Sequence, residues 1–207
     1  MPPEAAPAIL QIYRDFLTPG REAEYKALEE EAARICAELA FPHFHLAIES
    51  LTQPKEVWWL NAFGSEAERQ QVTEDYAKRP ALVAALAGIT ARREGLVGTP
   101  IDTLASYRAD LSAGAPWSVA GVRFLVVSVT KDDPGPNGSV FEAPDGTRFV
   151  FRPAGTREES DARAAAAGPD TRGFAVRPNW GMPAPEWIAA DPEFWRDNPA
   201  ARARRER

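Results

Sequence analysis

Hydrophobic and polar residues follow two different spacings in the first half of the chain. Four stretches alternate, or are rich in β-branched and aromatic residues, which is typical of strands; they cover residues 8–16, 43–51, 56–63 and 101–111. Apolar residues instead recur every three or four positions at residues 21–39 and 81–93, which predicts amphipathic helices. Ser65 and Glu68 form a capping box, so a further helix begins there and extends to about Tyr76.

The order of these elements is strand, helix, strand, strand, helix, strand. This order predicts an α+β fold, with a ferredoxin-like βαββαβ unit whose antiparallel sheet carries helices on one face. The opposite face of such a sheet needs a cover, and two sheets that face each other enclose a cavity, as in a dimeric α+β barrel. We therefore expect residues 1–112 to form a ferredoxin-like α+β barrel domain.

Residues 113–207 are predicted to form a second, smaller α+β half, after a boundary at about Ser112–Trp117. Its predicted strands cover residues 122–130, 139–143, 148–152 and 173–177, and its predicted helix covers residues 156–167. These elements repeat the order of the first half without the first helix, which suggests a degenerate second copy. Two arrangements remain open. The halves pack together within one chain, or the first half forms a homodimer and the second half is an accessory layer.

The C-terminal segment from Pro178 onward is rich in proline and tryptophan, with rings at Trp180, Trp187 and Trp195. Such a segment typically wraps a domain and uses its rings as anchors. A lid over a cavity is the functional alternative.

Charge and composition narrow the class of protein. The 207 residues carry a net charge of −6 without a basic stripe, so no nucleic-acid partner is expected. No apolar run reaches the roughly 18 residues of a membrane span, no signal peptide is evident, and Cys36 is the single cysteine, so we expect a cytoplasmic protein without a membrane partner. Cys36 lies on the apolar face of the first helix and is interpreted as a small buried hydrophobe, whereas Glu29, Glu30 and Glu31 are interpreted as a solvated surface.

Two histidines on the second strand are candidate catalytic residues. His43 and His45 stand two positions apart and therefore share one face of the strand. If Phe44, Leu46 and Ile48 face the helices, the histidines and Glu49 face the cavity, where either histidine can serve as a base near neutral pH. A His-x-His pair can also hold a metal, but neither a third histidine nor a nearby cysteine accompanies it, so no metal is expected. The simpler alternative is a pair of half-buried histidines at the rim.

The neighbouring strands supply the other candidates. Trp59, Asn61 and Phe63 share one face of the third strand, opposite to Trp58, and Tyr13 lies on the first strand. We expect Asn61 to be a catalytic residue, and Trp59, Tyr13 and Phe63 to bind substrate. Arg108, at the end of the fourth strand, is expected to bind an anionic group of the ligand. The alternative for each is ordinary packing in the core or at the sheet edge.

Several of these residues also carry a resemblance to a known family. The first half, about residues 8–110, resembles the NIPSNAP and antibiotic-biosynthesis-monooxygenase-like group of the dimeric α+β barrel superfamily, through Ile12–Arg14, Pro19–Glu22, Glu56–Phe63, Ser65 and Ala67–Arg69. Members of the group include cofactor-free oxygenases, haem-degrading enzymes and proteins without known activity. The oxygenases use Asn, Trp, Tyr and Arg side chains to hold a polycyclic phenol and to stabilise its anion, and Asn61 with Trp59 resembles that set.

These observations lead to two main hypotheses. The first is a barrel that binds a small apolar or aromatic ligand and acts as a cofactor-independent oxygenase or isomerase, with His45 or His43 as the base and Asn61 and Trp59 as positioning groups. The second is a non-catalytic barrel that serves as a dimerisation or ligand-binding module. A haem-binding variant is a weaker third hypothesis. No Walker loop, GxSxG, HExxH or CxxC motif is present, and no cofactor is expected.

Overall fold

A computed structural model describes residues 6–113, 117, 119–133 and 138–205, so that the predicted boundary segment at Ser112–Trp117 lies partly outside the described residues. Within the described part the strands are β1 (Ile9–Phe16), β2 (His45–Ser50), β3 (Glu56–Phe63), β4 (Ile101–Tyr107), β5 (Phe124–Thr130), β6 (Ser139–Glu142), β7 (Arg148–Ala154) and β8 (Thr171–Val176). The helices there are α1 (Glu22–Glu38), α2 (Glu66–Ala77), α3 (Pro80–Arg92), α4 (Arg157–Ala167), α5 (Pro185–Ala190) and α6 (Pro199–Arg205).

The eight strands of the described residues form one closed antiparallel barrel in the order β1-β3-β2-β8-β5-β7-β6-β4. This confirms the α+β barrel class. The strands of the first half lie in the order β4-β1-β3-β2, and those of the second half lie in the equivalent order β8-β5-β7-β6. The two sets join where β2 pairs with β8 and where β4 pairs with β6. A single chain therefore closes the barrel.

The barrel interior is filled by apolar side chains that come from all eight strands. β1, β2 and β3 contribute pairs at alternate positions, namely Leu10 and Ile12, Leu46 and Ile48, and Trp58 and Leu60. Trp187 and Trp195 from the C-terminal segment belong to the same cluster. The interior is thus a packed core rather than a cavity.

This packing overturns the predicted orientation of the first sheet. Leu46 and Ile48 lie in the barrel interior, so His45 and Asn61 on the opposite face point away from the interior and towards the helices. The expectation that the histidine face lines a cavity between two sheets is therefore wrong. The physical reason is that both faces of β2 and β3 are covered, the inner by the core and the outer by helices, so that alternation alone does not identify the inner face.

The outer face of β1, β2 and β3 is covered by α1 and α3. Tyr25 and Leu28 of α1 and Ile89 of α3 belong to one apolar cluster with Ala47 and Val57 of the sheet. Spacings of three and four residues place Tyr25, Leu28 and Ala32 on one face of α1. The second half carries α4 on the outer side of β5 and β8. Among the described residues, no helix combines the length and the apolar character that crossing a bilayer requires.

Candidate functional site

A cavity of about 380 Å³ lies between the outer face of β1–β3 and the helices α1 and α3. Its lining includes four of the residues predicted from the sequence: Tyr13, His45, Trp59 and Asn61. The rest of its wall is apolar or aromatic at Ala32, Cys36, Phe41, Tyr76, Leu86 and Ile89, and polar or charged at Gln11, Glu29, Thr90 and Arg93. The predicted residues therefore gather at one cavity, although it lies on the helix side of the sheet.

Strand register explains why these four side chains meet. β3 runs between β1 and β2, and Tyr13 pairs with Trp59 across the β1–β3 ladder. Asn61 pairs with His45 across the β2–β3 ladder. Side chains of directly paired residues lie on the same face of a sheet. One antiparallel sheet thus brings together residues that are up to 48 positions apart, from Tyr13 to Asn61.

His45 occupies an aromatic environment at this cavity. Its ring centroid lies 5.2 Å from that of Phe41 and 5.8 Å from that of Trp59. Nδ1 is buried and has no hydrogen-bond partner within the part of the chain that the structure describes. Burial lowers the pKa of His45 to about 4. The imidazole is therefore neutral at physiological pH.

A buried group of ionisable side chains adjoins the cavity at the other side of Trp59. The hydroxyl of Tyr25 donates to Asp15 Oδ2 at 2.7 Å, and the indole Nε1 of Trp59 donates to the same oxygen at 3.3 Å. Arg93 places Nη1 3.5 Å from Asp15 Oδ2 and Nη2 2.6 Å from Glu29 Oε1. Asp15 is fully buried, whereas Glu29 and Arg93 line the cavity.

Glu29 corrects the interpretation of the acidic triplet as a solvated surface, because its side chain is only 1% exposed. Burial is the main cause that raises its pKa to about 7, with a smaller contribution from Asp15, while Arg93 acts in the opposite direction. Cys36 is buried as expected, and burial raises its thiol pKa to about 12. The thiol is therefore not a reactive nucleophile at neutral pH.

Three of the predicted residues lie outside this cavity lining. The ring of His43 stacks on that of Phe63 at 4.4 Å, and burial lowers the pKa of His43. Arg108 pairs with Asp110 at 2.7 Å and with Glu142 at 2.5 Å, beyond the end of β4. Its guanidinium is thus held by two carboxylates away from Tyr13, Trp59 and Asn61.

Sequence reasoning missed Asp15, Glu29 and Arg93. Glu29 had a usable signal, because it stands four positions after Tyr25 and three before Ala32, on the apolar face of α1. Asp15 stands on the same face of β1 as Tyr13. Arg93 gave no such signal, since it follows α3 and its position depends on how that helix packs.

The C-terminal segment contributes one residue to the lining of the cavity. Gly181 lines it, and the next residue, Met182, exchanges backbone hydrogen bonds with His45 at 2.9 and 3.1 Å. The amide of Asn198 donates to the carbonyl of Pro178 at 2.8 Å and thereby fixes the start of this segment. Trp180 packs its ring 5.9 Å from that of Tyr25 and 6.5 Å from that of Trp59.

Gly181→Ala is expected to lower the free energy of unfolding by about 1–3 kcal/mol. Gly181 has a φ of +72°, and a Cβ there would lie 2.7 Å from the carbonyl oxygen of His45. Urea denaturation measures the change. Gly121→Ala is the matched control, because Gly121 has a φ of +74° with open space around the added atom. Equal losses in both variants would contradict a contribution from the contact with His45.

Comparison with known proteins identifies solved structures that resemble this chain. No family model matches the chain, and no curated protein matches its sequence. A solved structure of a "putative monooxygenase" from Fusobacterium nucleatum superposes with a TM-score of 0.51 at 10% identity, covering 84% of this chain and 94% of that one. A second, a "putative monooxygenase" from Lactobacillus acidophilus, gives a TM-score of 0.47 at 8% identity, over 86% and 96% of the two chains. The likeness to the first shows a shared α+β barrel fold.

Proposed function

We propose that this chain binds a small, largely apolar or aromatic ligand in the cavity between the sheet and α1 and α3, and acts on it as a cofactor-independent monooxygenase. The observation that carries the proposal is the convergence of Tyr13, His45, Trp59 and Asn61 on one cavity. Its volume of about 380 Å³ lies within the range of small-molecule sites. The fold shared with a protein described as a "putative monooxygenase" supports the same class of reaction.

The lining matches a planar ring that bears a hydroxyl group. Phe41, Trp59 and Ile89 offer apolar and aromatic surface for the ring. Tyr13 and Asn61 offer hydrogen-bonding groups for an oxygen substituent. Polar groups placed beside apolar surface fix the orientation of a ligand. We therefore take an aromatic compound with an ionisable hydroxyl as the ligand class.

A monooxygenase without a cofactor takes both electrons from its substrate. For 1-naphthol, one oxygen atom of O₂ enters the ring and the other leaves as water, so that the products are a naphthoquinone and one molecule of water. Asn61 and Tyr13 position the hydroxyl in this proposal. His45 serves as a neutral hydrogen-bonding partner, because an imidazole with a pKa of about 4 is a weak proton acceptor at neutral pH.

1-Naphthol is the probe that tests this proposal. We expect saturable quenching of tryptophan fluorescence on binding, together with uptake of one O₂ per quinone formed. Trp59→Ala and Asn61→Ala are each expected to weaken binding about tenfold, which corresponds to about 1.4 kcal/mol. Arg108→Ala is the comparison variant, since Arg108 lies outside the cavity lining, and it should bind as the unchanged protein does.

The results of these measurements distinguish a monooxygenase from a ligand-binding module. Binding without oxygen uptake would leave a ligand-binding module and remove the monooxygenase. Absence of binding would overturn the proposal as a whole. Weaker binding in Arg108→Ala with no change in the Trp59 and Asn61 variants would place the ligand at the end of β4 instead.

We also propose that each half is derived from one ferredoxin-like unit, with the division at about residue 112. The equivalent strand orders of the two halves support this proposal. Residues 131–138 connect β5 to β6 in the second half, and eight residues are too few for a counterpart of the 17-residue α1. Membership of the NIPSNAP group, a homodimer and a cytoplasmic location stay predictions.

A further inference from the structure

Resting on the proposed function, we propose that Glu29 is the catalytic proton acceptor for the hydroxyl group of the ligand. The O–H bond of the ligand breaks, and its electron pair stays on the ligand oxygen. The proton goes to a carboxylate oxygen of Glu29. The guanidinium of Arg93 then holds the oxyanion that remains.

The position of Glu29 carries this proposal. Glu29 lines the cavity with Arg93, while its side chain is almost completely shielded from bulk solvent. Oε1 is paired with Arg93 Nη2 at 2.6 Å, whereas Oε2 is buried without a hydrogen-bond partner among the described residues. Buried carboxylate oxygens normally have hydrogen-bond partners. A ligand hydroxyl in the cavity supplies the missing donor.

Asp15 cannot take this role as well as Glu29 can. Its Oδ2 accepts hydrogen bonds from Tyr25 and Trp59 and also lies 3.5 Å from Arg93. Asp15 is not part of the cavity lining, whereas Glu29 is. Of the two carboxylates beside Arg93, Glu29 is therefore the one that a ligand reaches.

The charges of the side chains around Glu29 favour transfer of a proton from the ligand to Glu29. In this cluster of described side chains, one guanidinium faces two carboxylates, and the other titratable groups around it are Tyr13, Tyr25, Cys36, His45 and Tyr76. Moving the proton from the hydroxyl to Glu29 exchanges one negative charge for another beside Arg93. No new net charge is created in a poorly solvated site, where an unpaired charge is costly.

Proton affinity supports the same assignment. The pKa of Glu29, about 7, is close to physiological pH, where a general base is most effective. The pKa of His45, about 4, makes the imidazole a weaker acceptor. Below its own pKa, Glu29 already carries a proton, so it accepts one from the ligand only above about pH 7.

Glu29→Gln in the full chain tests the inference, with 1-naphthol as the probe. At pH 8 we expect the absorption spectrum of the naphtholate anion for the ligand bound to the unchanged protein. Calorimetry in two buffers of different ionisation enthalpy should show almost no proton release, because Glu29 retains the proton. Glu29→Gln should bind neutral naphthol, or the anion with release of one proton to the buffer. Its rate of oxygen uptake should fall by about 100-fold or more.

Glu30→Gln is the matched control, because Glu30 is the next residue of α1 and its side chain is 41% exposed. This control should behave as the unchanged protein does. A second measurement needs no variant: the anion spectrum of bound naphthol should be lost as the pH falls below about 7, where Glu29 becomes protonated. This titration decides the question if Glu29→Gln does not fold.

The two proposals fail in different ways. If the unchanged protein does not bind 1-naphthol, the proposed function is wrong. If it binds 1-naphthol, but Glu29→Gln gives the same anion spectrum and the same proton release, only the role of Glu29 is wrong. An anion spectrum that persists at pH 5 would also overturn the role of Glu29.

Discussion

Trp58→Ala is expected to lower the free energy of unfolding by about 3–5 kcal/mol. The indole is 2% exposed inside the barrel, with ring centroids 5.0 Å from Phe174 and 6.0 Å from Phe149. Its Nε1 donates to Glu56 Oε2 at 2.8 Å, and the guanidinium of Arg14 lies 4.5 Å from its ring centroid. Truncation therefore removes apolar contacts between the two halves of the barrel and leaves a cavity.

Trp59→Ala is the control for this prediction, and urea denaturation measures both variants. Trp59 is half-buried on the outer face, so that we expect a smaller loss of about 1–2 kcal/mol. Trp59→Ala should weaken ligand binding more than Trp58→Ala does, since Trp59 lines the cavity and Trp58 does not. A larger loss of stability in Trp59→Ala than in Trp58→Ala would contradict the orientation of β3.

The pH dependence of stability is the second large effect, and it arises from Glu29. Its pKa rises from 4.5 to about 7 on folding, mainly through burial. As the pH rises through this window, the carboxylate of the unfolded chain loses its proton first, so the folded state binds more protons. The free energy of unfolding therefore falls with rising pH between about 4.5 and 7. A shift of this size corresponds to about 3 kcal/mol.

Glu29→Gln should remove this contribution. Its stability should be close to that of the unchanged protein at pH 4.5, and greater by about 3 kcal/mol at pH 8. Glu30→Gln should retain the pH dependence of the unchanged protein. Urea denaturation at both pH values gives the differences. If the difference in free energy of unfolding between Glu29→Gln and the unchanged protein were the same at both pH values, Glu29 would ionise in the folded state as it does in the unfolded chain.

Local patterns in the sequence predicted most of the elements. The third strand was predicted at residues 56–63, which are the bounds of β3. The capping residues Ser65 and Thr156 each accept a hydrogen bond from the backbone three positions later, at 3.1 Å. Such signals lie within a few neighbouring residues. The sequence therefore carries them without reference to the rest of the fold.

The inner and outer faces of the sheet could not be assigned in this way. Trp58 and Trp59 are adjacent tryptophans, one in the barrel core and one beside the helices. Period-two alternation separates two sets of side chains, but either set is apolar enough to be the core. The assignment depends on how both halves close the barrel, which is a property of the whole chain.

The candidate site was predictable only where it follows the sheet. Tyr13, Trp59, Asn61 and His45 come together through strand pairing, so that their shared face followed once the strands were known. Arg93 reaches Asp15 and Glu29 across 78 and 64 residues of sequence, respectively. That proximity results from the packing of α1 and α3 on the sheet, and no local pattern reports it.

Closure of the barrel within a single chain also affects how the protein can change. A barrel made from two identical chains contains every side chain twice, so that each mutation alters two symmetry-related positions at once. Here each side chain occurs once per barrel. A substitution at Glu29 or Trp59 therefore reshapes one cavity and leaves the other half of the barrel intact. The two halves are thus free to diverge separately.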